Sequence, residues 1–291
     1  MSLQHKLDLA IREKEGTPYP YGEGYIVSKS KPAYCRYMSN DGWKRYLAEM
    51  SKDHRNQYKD GYGGELKEGR YPPKMACYGS SSRIIYTLLR SIPNIEFEKK
   101  LATGVGSRPA NLDAYLYTDR RDIFVEAKCR EIYAKHSKVR ASTGYKDVYK
   151  HISEYHNSFS FGADIISDNQ GVEDKNNYNY RFFYNNEPII RFDIKQLISH
   201  FLGIAAGVLE GKVKNNIRFV YFIYNPNELG KKALEEVHED TIKEIKKIEI
   251  KIKDLFEAVF EYQKKNLNIE KEMPAFEFVL ADQNNIIDKL K

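Results

Sequence analysis

Three residues on two consecutive segments have the types and spacing to do chemistry together. Asp113 lies in NLDAYLY, and after twelve intervening residues Glu126 and Lys128 flank Ala127 in DIFVEAKC. Read as a strand, DIFVEAKC puts Ile123, Val125, Ala127 and Cys129 on one face and Phe124, Glu126 and Lys128 on the other, so one face suits a core and the other a site. Glu126 and Lys128 then lie about 7 Å apart on the same side. NLDAYLY puts Leu112, Ala114 and Leu116 on its apolar face and Asp113 opposite, and an antiparallel hairpin brings Asp113 beside Glu126. Two carboxylates that close repel one another unless a cation lies between them, and hard oxygen ligands select Mg²⁺ or Mn²⁺. Such an ion screens a phosphate, lowers the pKa of a bound water and stabilises charge growing in the transition state. Lys128 can orient that water or neutralise the phosphate, and the Ala127 carbonyl offers one more oxygen ligand.

The elements that must position these residues begin at Ser80. Ser80 to Ser82 can cap a helix with Ile84, Ile85, Leu88 and Leu89 on one stripe, ended by Pro93. Strands are expected over Ile95 to Leu101, Leu112 to Tyr117 and Asp122 to Cys129, separated by turns at 103–109 and 118–121. The Asn- and Asp-rich stretch SDNQGVEDKNNYNY reads as exposed loop. A helix follows from Asp193 to about Leu209, then a strand from Ile217 to Tyr224. Residues 230–265 carry apolar side chains at spacings of three and four, a long helix with a break near Glu249 where KIEIKIK alternates. Phe276 to Leu280 reads as a last strand. Before Ser80, residues 16–40 and 59–74 have the Gly, Pro and Tyr content of irregular chain, with Asp41 capping a helix from Gly42 to Met50. The expected fold is mixed α/β, with hairpins early and a strand, helix, strand unit late.

Asp113 followed by Glu126-Ala127-Lys128 resembles the D-x(n)-(D/E)-x-K signature of the PD-(D/E)XK nuclease superfamily, over about a fifth of the chain from Ser80 to Glu131. The resemblance implies a restriction-endonuclease-like core, a mixed central β-sheet flanked by helices, with residues 1–75 as an N-terminal extension packed on it and residues 76–291 as the nuclease-like domain. It implies Asp113 and Glu126 as metal ligands, Lys128 as the catalytic lysine, Mg²⁺ or Mn²⁺ as cofactor, and a DNA endonuclease using metal-activated water. The alternative is a catalytically inactive nucleic-acid-binding or protein-interaction module of the same fold. Two departures stand out: Leu112 replaces the proline before the acid, and the first helix carries no carboxylate, so Glu96 and Glu98 become candidates for a third. Gln196 and His200, four apart on one helix face, can reach the site. They resemble the Q-x-x-x-Y element of some members, with His in place of Tyr.

An acid-x-base triplet should occur about six or seven times by chance in a chain of this composition. Glu65-Leu66-Lys67 lies in a glycine-rich loop, Glu244-Ile245-Lys246 on an expected solvated helix, and Asp193-Ile194-Lys195 at a strand-to-helix junction with Asp193 as cap. Neither of the first two has a strand-borne acid upstream at hairpin distance, whereas the Asp193 triplet follows the apolar run PIIRF and could imitate the motif. Beyond the site, Arg130, Lys135, Lys138, Arg140, Lys146 and Lys150 are interleaved with Tyr133, Tyr145, Tyr149 and Tyr155. This gives cations for phosphates and rings for bases, or simply a solvated face. Arg83 and Arg90 could serve the same surface. His136, His151 and His156 fit no ligand spacing and read as surface histidines.

Composition sets the outer limits. The chain has 291 residues, 41% hydrophobic and 30% charged, with 47 Lys and Arg against 41 Asp and Glu, a net charge of +6 that tolerates a polyanionic partner without demanding one. Three scattered cysteines, Cys35, Cys77 and Cys129, argue against a disulfide scaffold or zinc module and favour a reducing, cytoplasmic setting. No apolar run reaches signal-peptide or membrane-span length, so no membrane partner is expected. Phosphate-loop, nucleophile-elbow and zinc-protease motifs are absent. The expected partner is nucleic acid, DNA first, and cutting at palindromic sites would make the protein a homodimer.

Overall fold

The structure is a computed structural model that describes residues 2–15, 36–59, 64–67, 72–105, 108–167 and 173–291. Its centre is a five-stranded mixed sheet in the order β1 (Ile95–Leu101), β2 (Ala110–Tyr117), β3 (Arg121–Lys128), β8 (Asn216–Ile223), β9 (Phe276–Ala281). β1, β2 and β3 form an antiparallel meander, whereas β8 runs parallel to β3 and β9 parallel to β8. The short turn Thr118 to Arg121 can only reverse the chain, while the parallel neighbours need long helical crossovers to return it. β3 is the central strand, and every residue from Asp122 to Lys128 is buried.

Helices cover both faces. On one side α4 (Ser81–Leu89), capped by Ser80, packs with α1 (Leu3–Lys14), α2 (Asn40–Glu49) and α3 (Lys52–Lys59). Leu7, Trp43, Tyr58, Ile85 and Leu89 share a core there with Ile123, Val125, Ala127 and Cys129. On the other side α6 (Ile194–Leu209) and α8 (Ile252–Leu267) bury Phe201, Ile204, Phe256 and Val259 against Phe124 and Phe219. Burying side chains of this size contributes about 1.5–3 kcal/mol each, which fixes the helices firmly on the sheet. α6 lies unusually close, because a Cβ at Gly203 would come 2.9 Å from the Cβ atoms of Ala110 and Leu101. A second, antiparallel sheet joins β4 (Val139–Ser142), β6 (Glu173–Tyr184) and β5 (Phe159–Ser167), with β7 (Glu187–Pro188) on β6. Its strands and α5 (Tyr145–Tyr155), which lies between β4 and β5, occupy the chain between β3 and α6. The chain then passes α7 (Lys232–Glu249), α8, β9 and α9 (Ile286–Lys289). Among the described residues no helix is long and apolar enough to cross a membrane.

The three expected strands and the α6 helix are present, and Asp193 caps α6 by accepting from the Gln196 N–H at 3.0 Å. The long C-terminal helix is two helices, broken at Ile250–Lys251. Other expectations fail. The stretch read as exposed loop is strand from Glu173 onward, because Tyr178, Tyr180, Phe182 and Tyr184 alternate and bury Tyr180 and Phe182 against α5. Helix α2 is capped by Ser39, whose side chain accepts from the Gly42 N–H, while Asp41 is exposed in the first turn. Leu112 does not share a face with Ala114 and Leu116: it packs with Phe124 and α6, they with α4. The reversal follows from Glu98, whose φ of 54° puts it in the left-handed region and interrupts the β1–β2 ladder between Phe97↔Ala114 and Lys99↔Leu112. Nor is the Phe124 face open to solvent, since Phe124 is fully buried. Glu244, expected on a solvated face, is half-buried. Its carboxylate accepts from the N–H groups of Ile190, Arg191 and Phe192 at 3.1, 2.7 and 2.7 Å, tying α7 to the lead-in of α6. Cys77 and Cys129 are free and buried, and Cys35 lies outside the described residues, as do most of the stretches 16–40 and 59–74 read as irregular chain.

Candidate active site

The β2–β3 pairing runs from Tyr117↔Asp122 to Ala114↔Val125 and stops one position short of Asp113 and Glu126. There Asp113 replaces the backbone in the ladder: its Oδ2 accepts from the Ala127 N–H at 2.7 Å. The Asp113 carboxylate is thus fixed against the peptide between Glu126 and Lys128. Lys128 Nζ donates to Glu126 Oε1 at 2.6 Å and also to Gln196 Oε1. His200, one turn further along α6, brings Nε2 to 2.9 Å from Glu126 Oε2. The i, i+4 spacing of Gln196 and His200 therefore places both on the helix face over β3. Glu126 and Lys128 are 2% and 4% exposed, at the floor of a cavity of about 440 Å³.

The charges in this cavity do not balance. Five carboxylates line it, Glu65, Glu98, Asp113, Glu126 and Glu131, against Lys74, Lys128 and Arg130. Arg130 is shared with the wholly buried Asp8 of α1 at 3.2 Å. Burial, followed by the charges of Glu126 and Glu98, drives the Asp113 carboxyl well above its ordinary range despite Lys128 and the Ala127 N–H. Burial also pushes Glu98 up to about 7, with Glu65 and Glu126 adding to the shift and the Asn111 amide opposing it. Burial works against Glu126 too, yet Lys128 and His200 together hold it down to about 2. One carboxylate is thus compensated by its lysine, while two others lack matching positive charge.

This imbalance bears on a metal. Among the described residues no three His, Cys, Asp or Glu side chains stand at metal-holding spacing. The donor set is two carboxylates and a peptide carbonyl, all hard oxygen. Asn111 Oδ1 is buried without a hydrogen-bond partner, and Glu126 Oε2 has only the His200 ring beside it at 2.9 Å. Hard donors and buried excess negative charge fit a small divalent cation better than any soft metal.

Of the other expected site residues, Glu98 lines the cavity, whereas Glu96 turns away to pair with Lys99 at 2.7 Å. Arg130 lines it as well. Arg140 lines a second, adjoining cleft of about 740 Å³ between α6 and the small sheet, which meets the first at Asn111 and Gln196. Lys135 lines a separate hollow against α7, Lys138 pairs with Asp164 at 3.1 Å, Lys146 lies over the Tyr178 ring, and Lys150 pairs with Glu154. Tyr149 is a core residue and Tyr145 nearly so; Tyr133 is half-buried, and Tyr155 is exposed on Glu257. The row of cations and rings is therefore dispersed rather than a single wall. Arg83 is buried against Glu15, and Arg90 pairs with Glu49.

Several residues at the site were not anticipated. Glu65 belongs to a triplet set aside as loop, and it is indeed in irregular chain, but its carboxylate is 5% exposed and faces the cavity beside Lys74 at 3.6 Å. Nothing in the spacing of Glu65-Leu66-Lys67 foretells that. Arg108, Asn111 and Lys195 line the adjoining cleft, and Lys195 is the base of the dismissed Asp193 triplet. No protein-family model, curated protein or solved structure matches the chain.

Proposed function

We propose that this protein is a divalent-metal-dependent endonuclease of restriction-endonuclease-like fold that hydrolyses phosphodiesters in DNA. The single observation that carries the reading is the convergence of Asp113, Glu126 and Lys128 on one cavity floor through the opening of the β2–β3 ladder. The fold lends support: a mixed central sheet flanked by helices, with a helix, a strand, the acid-bearing strand and the E-x-K strand in that order, is what the sequence resemblance implies.

Asp113, Glu126 and the Ala127 carbonyl would hold a divalent cation, which would supply Lewis-acid polarisation of the phosphate and an activated water. The chain's own groups do the rest. Glu126 is ionised across the working pH range. Asp113 completes its ionisation when positive charge relieves its repulsion from Glu126 and Glu98. Two of the three Lys128 donors are committed to Glu126 and Gln196, which fixes the ammonium and leaves one N–H for water or a phosphate oxygen. The burial of Glu126 and Lys128 strengthens each of these charge interactions.

Lys128→Ala and Asp113→Asn proteins, with folding verified by circular dichroism, are expected to lose at least about a hundredfold in Mg²⁺-dependent cleavage while still binding DNA. Asn at 113 can still accept from the Ala127 N–H, so that variant keeps the strand contact. Undiminished cleavage by either variant refutes the assignment. One observation favours an inactive binding module instead: Glu126 already has cationic company in Lys128 and a close neighbour in His200. Mn²⁺ titration separates the two, because an enzyme binds the ion through Asp113 and Glu126 and loses it in Asp113→Asn.

A further inference from the structure

We infer that the cleft between α6 and the small sheet receives one strand of nucleic acid, not a duplex, and leads its backbone to Lys128. The inference rests on the nuclease reading and names the form of its substrate. Continuity comes first. Asn111 and Gln196 line both the cleft and the acidic cavity, and Gln196 is itself hydrogen-bonded to Lys128. Charge gives the direction. Arg108, Arg140 and Lys195 line the cleft against a single carboxylate, Asp193, whose Oδ1 is engaged in capping α6. Beyond Gln196 the lining turns acidic. A polyanion is therefore held along the cationic stretch and presents its phosphates to the carboxylates one at a time.

Depth decides between one strand and two. The cleft, at about 740 Å³, is the size of a small-ligand pocket, typically about 300–1,000 Å³. Behind Asn111 and Gln196, on the floor of the neighbouring cavity, lie Glu126 and Lys128, 2% and 4% exposed. Duplex DNA is stiff over about 150 base pairs and cannot bend a phosphate inward to such a floor while both strands remain stacked. A single strand rotates freely about its backbone and can. Lys195 adds an independent pointer. It is half-buried over the Tyr145 ring at 5.6 Å, and burial with the nearby Arg108 and Lys128 charges lowers its pKa against the pull of Asp193. A cation placed among like charges is stabilised by an incoming phosphate. Tyr145, the only Tyr, Phe or Trp among the described residues lining the cleft, is covered by Lys195 and donates to Ser199 Oγ at 2.9 Å. Phosphates rather than stacked bases then carry the affinity, so binding should be strongly salt-dependent and tolerant of sequence.

The test is fluorescence anisotropy in EDTA, where no cleavage intervenes, using a labelled oligonucleotide of about a dozen nucleotides as single-stranded DNA, single-stranded RNA and duplex DNA. The wild type should bind one or both single strands at least about tenfold tighter than duplex. Contacts from three cations should give a slope of log K against log salt near about −2, and Lys195→Gln and Arg140→Gln should each lessen it by about 0.7. Lys247→Gln, on the remote face where Lys247 pairs with Glu187, should change neither quantity. Duplex binding as tight as single-strand binding, or a slope unmoved by both cleft variants, overturns the inference. That failure alongside intact metal-dependent cleavage leaves the nuclease reading standing. Preserved single-strand binding with cleavage insensitive to Lys128→Ala sinks the nuclease reading instead.

Discussion

Replacing Glu98 with glutamine should make the metal-free protein more stable, and only at high pH. Glu98 is 6% exposed and its carboxyl is pushed from the ordinary 4.5 to about 7. In the unfolded chain the proton leaves near 4.5, whereas the folded chain keeps it to about 7. The folded state therefore binds more protons across that window, and its stability falls as pH rises through it. A shift of about 2.5 units at 1.36 kcal/mol per unit amounts to about 3 kcal/mol of lost stability above pH 8. Glutamine cannot ionise, matches the shape of glutamate and still offers an oxygen to the Asn111 amide. Urea denaturation of the two proteins in EDTA should show a difference below about 1 kcal/mol at pH 5 that grows to about 3 kcal/mol at pH 8.5. Mn²⁺ at pH 8.5 should narrow the gap, since a bound cation relieves the same repulsion in the native protein. A difference that is flat with pH, or a destabilised variant at pH 8.5, would refute the claim that Glu98 sits in uncompensated negative charge.

Two further substitutions probe the frame around the site. Gly203→Ala would place a methyl 2.9 Å from the Cβ atoms of Ala110 and Leu101, so α6 must shift away from β1 and β2. A loss of about 1–3 kcal/mol in denaturant melts is expected, together with weaker cleavage as Gln196 and His200 move off β3; unchanged stability would mean the helix has slack. Asp8→Ala leaves Arg36 and Arg130, which lie 2.6 and 3.2 Å from its oxygens, without their buried counter-ion. A destabilisation of about 3–5 kcal/mol should follow in thermal or chemical melts, and a loss under about 1 kcal/mol would show that water replaces the carboxylate there.

The parts legible in the sequence are those where local pattern and tertiary environment agree. Alternation in DIFVEAKC and the short turn at 118–121 are local facts, and they suffice to place Glu126 and Lys128 on one side and Asp113 near them. The i, i+4 pair Gln196 and His200 needed only a helix, and Asp193 announced where it starts. Failures have a common cause in distant partners. The turn of Leu112 to the other core depends on the left-handed Glu98, a conformation that no property of glutamate predicts. Glu65 reaches the cavity from irregular chain, where spacing carries no directional information. The strand at 173–184 was legible after all: its polar residues suggested loop, but Tyr178, Tyr180, Phe182 and Tyr184 keep a strict period of two, which outweighs composition when a buried partner is present.

The first helix also bears on the order of assembly. Gln4 donates to the Arg130 carbonyl across 126 residues of chain, and Asp8 meets both Arg130 and a turn at Gly79 where a Cβ would come 2.4 Å from its oxygen. Contacts so remote in sequence carry a large loop-closure cost, whereas the meander that holds Asp113 and Glu126 closes over short turns. The carboxylates can therefore be in place before α1 docks, and the wall that carries Arg130 is set last. Refolding followed by separate fluorescent labels on the meander and on α1 should resolve two events, the meander first.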